Sequence, residues 1–505
     1  MELFTDRHAC KIRGTLSCFD RVVIAGTIPG VCYAAGMTSF LYANGIRVFD
    51  YHKWAEPLRE EIRTNAERLA QENSLEIQFI RRKNFRKDKR IKEIIAKRGD
   101  HPGLVHIFSA MEPCPSYKPW HDKKSHRTFL KPTDGKCLHY YFYFIDPELG
   151  LCYLRVPTWA PFRVQFYYNG HNQLSAELDR KNIGYKMLEN AFVDLEDWDA
   201  AQSLSDSIDP AQVHKKLNEA AGQFCPVIRH FSAGYHWSLM QVEYATDIVF
   251  RRQKDLKPIY EELVRTAVHS VKPENIATFL GRKLTGHYQD EMGNDFHTRI
   301  EGTRIKHHMG KVAIKMYDKH AIILRIETVA NDVSCFKHHR KVEHRNGTWT
   351  MKTATMKKSI YSLPPLLGLM WASNQRYLKY ICSIDDPTIA LKKLEKISKP
   401  ARDSKRTYRG FNLFHGDDLD LFLTLLRGEF NISGFQNANI RMYLPGKTSQ
   451  QVCRLIKRLR KHGLIRKIRN TYKYYLTTLG RTVILTSLKL REMFVIPYLR
   501  GTLTT

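Results

Sequence analysis

Three carboxylates in apolar, strand-like surroundings raise the first chemical question. Glu243 and Asp247 lie in Val242-Glu-Tyr-Ala-Thr-Asp-Ile, and Glu327 lies in Leu324-Arg-Ile-Glu-Thr. Side chains alternate along a strand, so positions i and i+4 share a face, and Glu243 and Asp247 can converge on one cation. A divalent ion held this way polarises a phosphoryl group and offsets charge in the transition state, as nucleic-acid cleavage requires. Mg²⁺ or Mn²⁺ is the expected ion. The plainer alternative pairs Glu327 with Arg325 across a sheet.

Other metal-ligating types are present with weaker spacing. Cys114, His121, Cys137 and His139 form a C-x6-H…C-x-H series that matches no common zinc finger, so zinc is not expected there. His307-His308 and His338-His339 are adjacent pairs, and on a strand such neighbours point to opposite faces. No Gly-x-x-x-x-Gly-Lys-Ser/Thr, Gly-x-Ser-x-Gly or dinucleotide fingerprint occurs, which leaves ATP-driven motors and metabolic enzymes without support.

The elements that would bring such chemistry to DNA are plainest near the C-terminus. Thr448 and Gln451 have capping-box spacing, and Val452, Leu455, Ile456 and Leu459 form one apolar stripe of a helix that Gly463 ends. Arg454, Lys457, Arg458 and Lys461 are left on the other faces. Two short strands around the turn Arg469-Asn470 then carry Arg466, Lys467 and Lys473. Helix, basic helix and basic hairpin is the layout of a winged helix-turn-helix. A narrow basic helix fits the major groove, and the hairpin can follow the neighbouring phosphates.

The charge agrees. The 505-residue chain carries a formal net charge of +30, a field that attracts polyanions. From Lys399 to Thr505, 21 Lys and Arg face 6 Asp and Glu, half of the whole excess. A second run, Arg81 to Arg98, holds ten Lys and Arg in eighteen residues and suits phosphate contact. Ten scattered cysteines without a C-x-x-C pair indicate reduced thiols. No apolar run of membrane-spanning length occurs, so a cytoplasmic, nucleoid-associated protein is expected.

Length and pattern predict an α+β multidomain chain. Residues 1–102 form an α/β basic domain, 103–210 a β-rich domain and 211–398 a central α+β domain with the carboxylates. Residues 399–410 are a linker, and 411–505 the winged helix. Asp146-Pro-Glu-Leu-Gly150 is a turn between strands, and Asn346-Gly347 predicts a type I′ hairpin. Short elements are expected at Ile46–Phe49 (strand) and Asp386–Ile397 (helix). The apolar helix Thr482–Phe494 is a candidate for pairing with a second copy, or for packing on the preceding domain.

Two resemblances follow from these residues. The order acidic-x-x-x-Asp, Gly302-Thr-Arg, Lys315-Met-Tyr-Asp-Lys and Leu324-Arg-Ile-Glu resembles the catalytic domain of rolling-circle replication initiators of plasmids and phages. That resemblance implies Glu243, Asp247 and Glu327 as metal ligands, with Arg304, Tyr317 and Lys319 lining the DNA and a tyrosine taking the 5′ phosphate. Ile300 stands where the family places its tyrosine, so Tyr317, or Tyr288 upstream, takes that role. From Phe411 onward, with Leu459-Arg-Lys-His-Gly-Leu-Ile-Arg-Lys467, the chain resembles the winged-helix domain of MarR-type regulators.

The function expected is site-specific duplex DNA binding by a protein of a bacterial mobile or replicating element, with metal-dependent nicking as its activity. Two alternatives stay open. One is a MarR-like regulator without catalysis, and the other is RNA or single-stranded binding by the basic, aromatic β region.

Overall fold

In the computed structural model the chain divides into two compact units, Met1–Cys382 and Ser383–Thr505. Residues 4–499 are described, apart from 83, 283, 285–287, 289, 300–301, 384–394, 404–405, 413, 470 and 492–494. Ile300, Asn470 and residues 386–394 of the expected helix therefore lie outside the described residues.

The first unit is built on strands β1 (Ile12–Thr27), β2 (Ile77–Phe79), β3 (Gly103–Asp122), β4 (Arg127–Asp146), β5 (Gly150–Pro157) and β6 (Val164–Tyr168). These are followed by β7 (Tyr185–Met187), β8 (Phe192–Leu195), β9 (His236–Phe250) and β10 (Met292–Arg299). The last five are β11 (Gly302–Met309), β12 (Val312–Lys319), β13 (Ile323–Ala330), β14 (Lys337–Glu343) and β15 (Trp349–Thr355). Eleven of them form one sheet in the order β10-β11-β12-β13-β9-β1-β6-β5-β4-β3-β2. Among the described strands, β2 alone runs parallel to its neighbour.

This sheet crosses the expected boundaries at 102 and 210. β1 and β2, β3 to β6, and β9 to β13 come from three segments predicted to be separate domains. Local patterning cannot register a pairing such as Ser17 opposite Thr246, which is set by burial across a great length of chain. The turn at Asp146 forms as predicted, with Asp146 Oδ1 accepting from the backbone N–H of Glu148 and Leu149. Residues 48–50 instead make a 3-10 turn leading into the helix Tyr51–Glu72.

The two sheet faces differ in chemistry. One buries Val22, Ile24, Phe142, Leu154, Phe166 and Tyr244 in the main core. The helix Tyr51–Glu72 adds the stripe Tyr51, Ala55, Leu58, Ile62 and Ala66, at the 3.6-residue period that puts one face inward. The other face is partly covered by the helix Gly170–Arg180, the β7–β8 hairpin and the helix Trp198–Asp206, around Leu16, Leu174, Leu178 and Phe192. Beside that small core lies a row of charged side chains.

The second unit opens where a linker was expected with a two-stranded hairpin, β16 (Ala401–Asp403) and β17 (Arg406–Tyr408). Helices Gly416–Leu425, Gly428–Ser433, Asn437–Tyr443 and Ser449–Lys461 follow, then β18 (Ile465–Lys467), β19 (Tyr474–Leu476) and a helix Thr478–Leu490. Thr448 and Gln451 form the reciprocal capping box, and Gly463 ends the helix at φ +75°. Val452, Ile456 and Leu459 enter a core with Phe422, Ile440, Leu464 and Ile484. Phe435 exchanges two backbone hydrogen bonds with Tyr474, extending the hairpin by one bridge.

No helix among the described residues is long and apolar enough to cross a membrane.

Candidate metal centre and nucleic-acid surfaces

Four adjacent strands, β12-β13-β9-β1, place the charged row. Glu327 lies opposite Ala245 on β9 and opposite Lys315 on β12. Because side chains two apart share a face, Glu243, Asp247, Arg325, Glu327, Lys315, Tyr317 and Lys319 all stand on the same side. β1 contributes through a bulge. Phe19 faces Tyr244 and Arg21 faces Glu243, so Asp20 is the extra residue between them. A bulge re-aims a side chain, and here Asp20 is turned onto the face of Glu243.

Asp20, Glu243 and Glu327 each offer an oxygen such that the three atoms lie within 4.8 Å of one another. Glu327 is almost fully buried, and no donor among the described residues reaches its Oε1. Its Oε2 accepts from the Tyr317 hydroxyl at 3.2 Å and from Lys315 Nζ at 3.4 Å. Lys315 Nζ also reaches Glu243 Oε2 at 3.4 Å, while Gln241 donates to Glu243 Oε1 at 2.8 Å. Burial, and then the hydrogen bond with Glu243, push the Glu327 carboxyl well above its usual range. Burial acts the same way on Glu243, but its contacts to Glu327 and Lys315 hold it low. Two carboxylates this close in a low dielectric either share a proton or hold a cation. The orphaned Oε1 and the all-oxygen donor set fit a hard divalent ion.

Asp247, expected as a metal ligand, is committed elsewhere. The register sets it directly opposite Arg325, whose Nε and NH2 donate to its two oxygens at 2.6 Å each. Spacing gave Asp247 the right face, but the neighbouring strand supplies a guanidinium that takes both of its oxygens. Burial disfavours the charged form of Asp247, yet Arg325 and His171 hold its carboxyl well below the usual range.

Asp20 is held from several sides. Its Oδ1 accepts from Asn190 Nδ2 at 2.6 Å and Asn169 Nδ2 at 3.2 Å, with Arg325 NH1 at 3.3 Å and His171 Nδ1 at 3.2 Å. Asn169 also caps the helix Gly170–Arg180, accepting from the His171 N–H. Gly170 packs so closely on β1 that a Cβ there would lie 2.1 Å from the Phe19 carbonyl oxygen. Asp20 was missed by sequence reasoning. The signal available was a carboxylate interrupting the apolar run Phe19-Asp-Arg-Val-Val-Ile.

The remaining expected residues separate. Tyr317 is at the centre, and burial followed by the charge of Glu327 raises its phenol well above the usual value. Lys319 is buried and bonds the backbone carbonyl and side-chain oxygen of Asn190, so it fixes the β7–β8 turn rather than lining a ligand. Burial and then Arg325 draw its ammonium down to about 8. Arg304 stands one strand further out on β11, half-buried, with no hydrogen-bond partner for its Nε among the described residues. Tyr288 lies outside the sheet and packs against the main core.

The polar face continues across β6, β5 and β4. The Arg21 guanidinium lies 5.5 Å from the Tyr167 ring, and Tyr167 stacks on Tyr153 at 4.9 Å. Beyond them a cavity of about 560 Å³ is lined by Phe85, Lys87, Tyr141, Tyr143, Tyr153 and Arg155 among others. Cys114, Cys137 and His139 sit at the end of this face, with Cys137 Sγ 3.8 Å from His139 Nδ1. His121 is far along the β3–β4 ladder, bonded to Thr128, so the four residues weighed for zinc do not meet.

In the second unit, Arg454, Lys457, Lys461, Arg466, Lys467, Arg469 and Lys473 are exposed, with Lys461 paired to Asp403 at 2.6 Å. Arg458 differs from expectation. It is 5% exposed, and its NH1 and NH2 donate to the two Asp418 oxygens at 2.6 and 2.9 Å. Its NH2 and Nε also reach the carbonyls of Gly410 and Arg409, above the Phe411 ring. It is an internal strut and not a base reader.

No protein-family model matches the chain, and no curated protein sequence matches it. Among solved structures it is similar to a rolling circle replication initiator protein from Geobacillus stearothermophilus. That similarity covers 63% of this chain and 74% of the other, at 9% identity and a TM-score of 0.18.

Proposed function

We propose that the chain is a DNA-binding protein of a bacterial mobile or replicating element that opens one DNA strand by metal-dependent phosphoryl transfer. One observation carries this reading. A phenol, Tyr317, is hydrogen-bonded to a carboxyl, Glu327, inside a three-carboxylate cluster on a polar sheet face. Asp20, Glu243 and Glu327 would hold Mg²⁺ or Mn²⁺, which supplies charge neutralisation at the phosphoryl oxygens.

The chain's own groups supply the rest. Glu327 Oε2 accepts the phenol proton as the Tyr317 oxygen bonds to phosphorus. The P–O3′ bond breaks, and the departing 3′ oxygen takes a proton from water. The products are a 5′-phosphotyrosine and a free 3′-hydroxyl. Lys315 stays beside the developing charge, and Arg325 keeps Asp20 in place. The second unit serves as a winged helix that finds the duplex site. Its capped basic helix and the β18–β19 hairpin support that reading.

The test is incubation of supercoiled cognate plasmid with the full chain and Mn²⁺. Open circles joined covalently to Tyr317 are expected, and Glu327→Gln should abolish them. Site-specific binding without strand opening would favour the regulator reading instead. Nicking by Tyr317→Phe would make water the nucleophile.

A further inference from the structure

The β14–β15 hairpin belongs neither to the core nor to the carboxylate face. Among the described residues its strands pair only with each other, from Lys337 opposite Thr355 to Glu343 opposite Trp349. An isolated two-stranded ribbon in water is marginal, so this one depends on its ends. At the root, Phe336 and Met356 are buried in the main core, joined by a backbone bond of 2.9 Å. The Leu239 N–H on β9 also donates to the Lys358 carbonyl at 2.6 Å. At the tip, Gly347 has φ +77°, while Asn346 Oδ1 accepts from Thr348 N and Oγ1. Of the tip residues only the glycine has positive φ, so the loop is a wider turn, closed from His344 to Thr348, and not the predicted type I′ pair. The ribbon is thus a blade with a fixed root.

Its composition is one-sided. From Lys337 to Lys358, seven Lys and Arg and three His stand against one carboxylate, Glu343. One face presents Lys337, His339, Lys341 and the lone acid Glu343 on β14 beside Trp349 and Met351 on β15, all exposed. Lys341 Nζ lies 4.5 Å from the Trp349 ring. Large apolar side chains lie among cations here, on a blade that no other strand described in its unit covers. Such a face needs an anionic partner that also offers apolar contact.

We propose that this face is a second duplex-DNA contact, a basic β-ribbon that enters the major groove. Each strand of seven residues spans about 23 Å at ~3.3 Å per residue. The B-form major groove, about 12 Å wide, accepts a two-stranded ribbon, with cations on the phosphates and apolar side chains toward the base edges. A-form RNA has a deep, narrow major groove that side chains cannot read, so the partner is DNA. The proposal rests on the duplex-DNA-binding reading above but not on strand cleavage at Glu327, and wild-type chain that fails to bind the duplex would sink that reading rather than this face alone.

The experiment uses the full chain, a fluorescent cognate DNA duplex and a salt titration. Lys337→Glu with Lys341→Glu should weaken binding at least tenfold at fixed salt. It should also make the log–log salt slope shallower by about 2, one unit for each phosphate that is no longer neutralised. Trp349→Ala should weaken binding several-fold with the slope unchanged. Lys123→Glu with Lys124→Glu, exposed at the β3–β4 turn, changes net charge equally and should cost less than twofold. An equal loss in that control, an unchanged affinity in both ribbon variants, or equally tight binding of an RNA duplex of the same sequence would overturn the proposal.

Discussion

The Tyr317 hydroxyl and the Glu327 carboxyl come from adjacent strands and share one hydrogen bond of 3.2 Å. Their backbones are not directly opposed, since Tyr317 faces Arg325 and Glu327 faces Lys315. The contact is therefore diagonal, and it leaves Glu327 Oε1 buried without a donor among the described residues, beside Glu243 and Asp20 in the carboxylate cluster.

Replacing Glu327 by Gln should remove cation binding without harming the fold. The amide imitates the protonated carboxyl, which burial already favours. Calorimetric titration with Mn²⁺ should show at least a tenfold loss of affinity, while the melting temperature without metal stays the same or rises. A large drop in melting temperature would mean that Glu327 is a structural anchor.

Asp247→Asn should do the reverse. It leaves the buried Arg325 without its fork partner, and breaking a buried pair costs about 3–5 kcal/mol. Chemical denaturation should show that loss. An unchanged stability would place the charge balance of this face elsewhere.

The pH dependence has a definite sign. Glu327 keeps its proton in the folded, metal-free chain above the pH at which the unfolded chain releases it. The folded state then binds more protons than the unfolded one, so metal-free stability falls as pH rises from the ordinary carboxyl range to the raised value. A cation displaces that proton, so Mn²⁺ should bind more tightly and stabilise more at pH 8 than at pH 5. Melting curves with Mn²⁺ and with EDTA at both pH values test this, and Glu327→Gln should flatten the difference.

In the second unit, Arg454→Ala and Arg458→Met should part company. Arg454 is exposed on the basic helix, and its loss should cost about 1–3 kcal/mol of DNA binding with stability intact. Arg458→Met strands the buried Asp418, so unfolding should become easier by about 3–5 kcal/mol. Paired binding and denaturation curves decide this; equal DNA-binding losses with no change in stability would return Arg458 to the surface.

Much of the site was readable where one strand or helix carries its own information. Glu243 and Glu327 stood out as carboxylates in apolar, strand-like runs, and Thr448 because a cap is a local motif. Asp20 was not, because its position depends on a bulge against a strand more than 220 residues away. Asp247 was misread for a related reason. Its face was correct, but only the register with β13 reveals Arg325 opposite. Arg458 lies beside the apolar stripe of its helix, and nothing local foretells that Phe411 and Asp418 close over it. The domain division failed at the same level, since pairings between distant strands leave no trace in composition.

The partnership of β1 with β9, and of β9 with β13, also has a temporal meaning. Asp20 precedes by a great length of chain the strands that complete its surroundings, which end at Ala330. On a ribosome, β1 must wait with one edge unpaired until β9 follows, more than two hundred residues later, and such an edge invites wrong partners. The candidate cation centre therefore cannot form on a nascent chain that stops short of β13. It assembles only when β1, β9, β12 and β13 meet, so any chemistry there stays silent until the chain has passed Ala330.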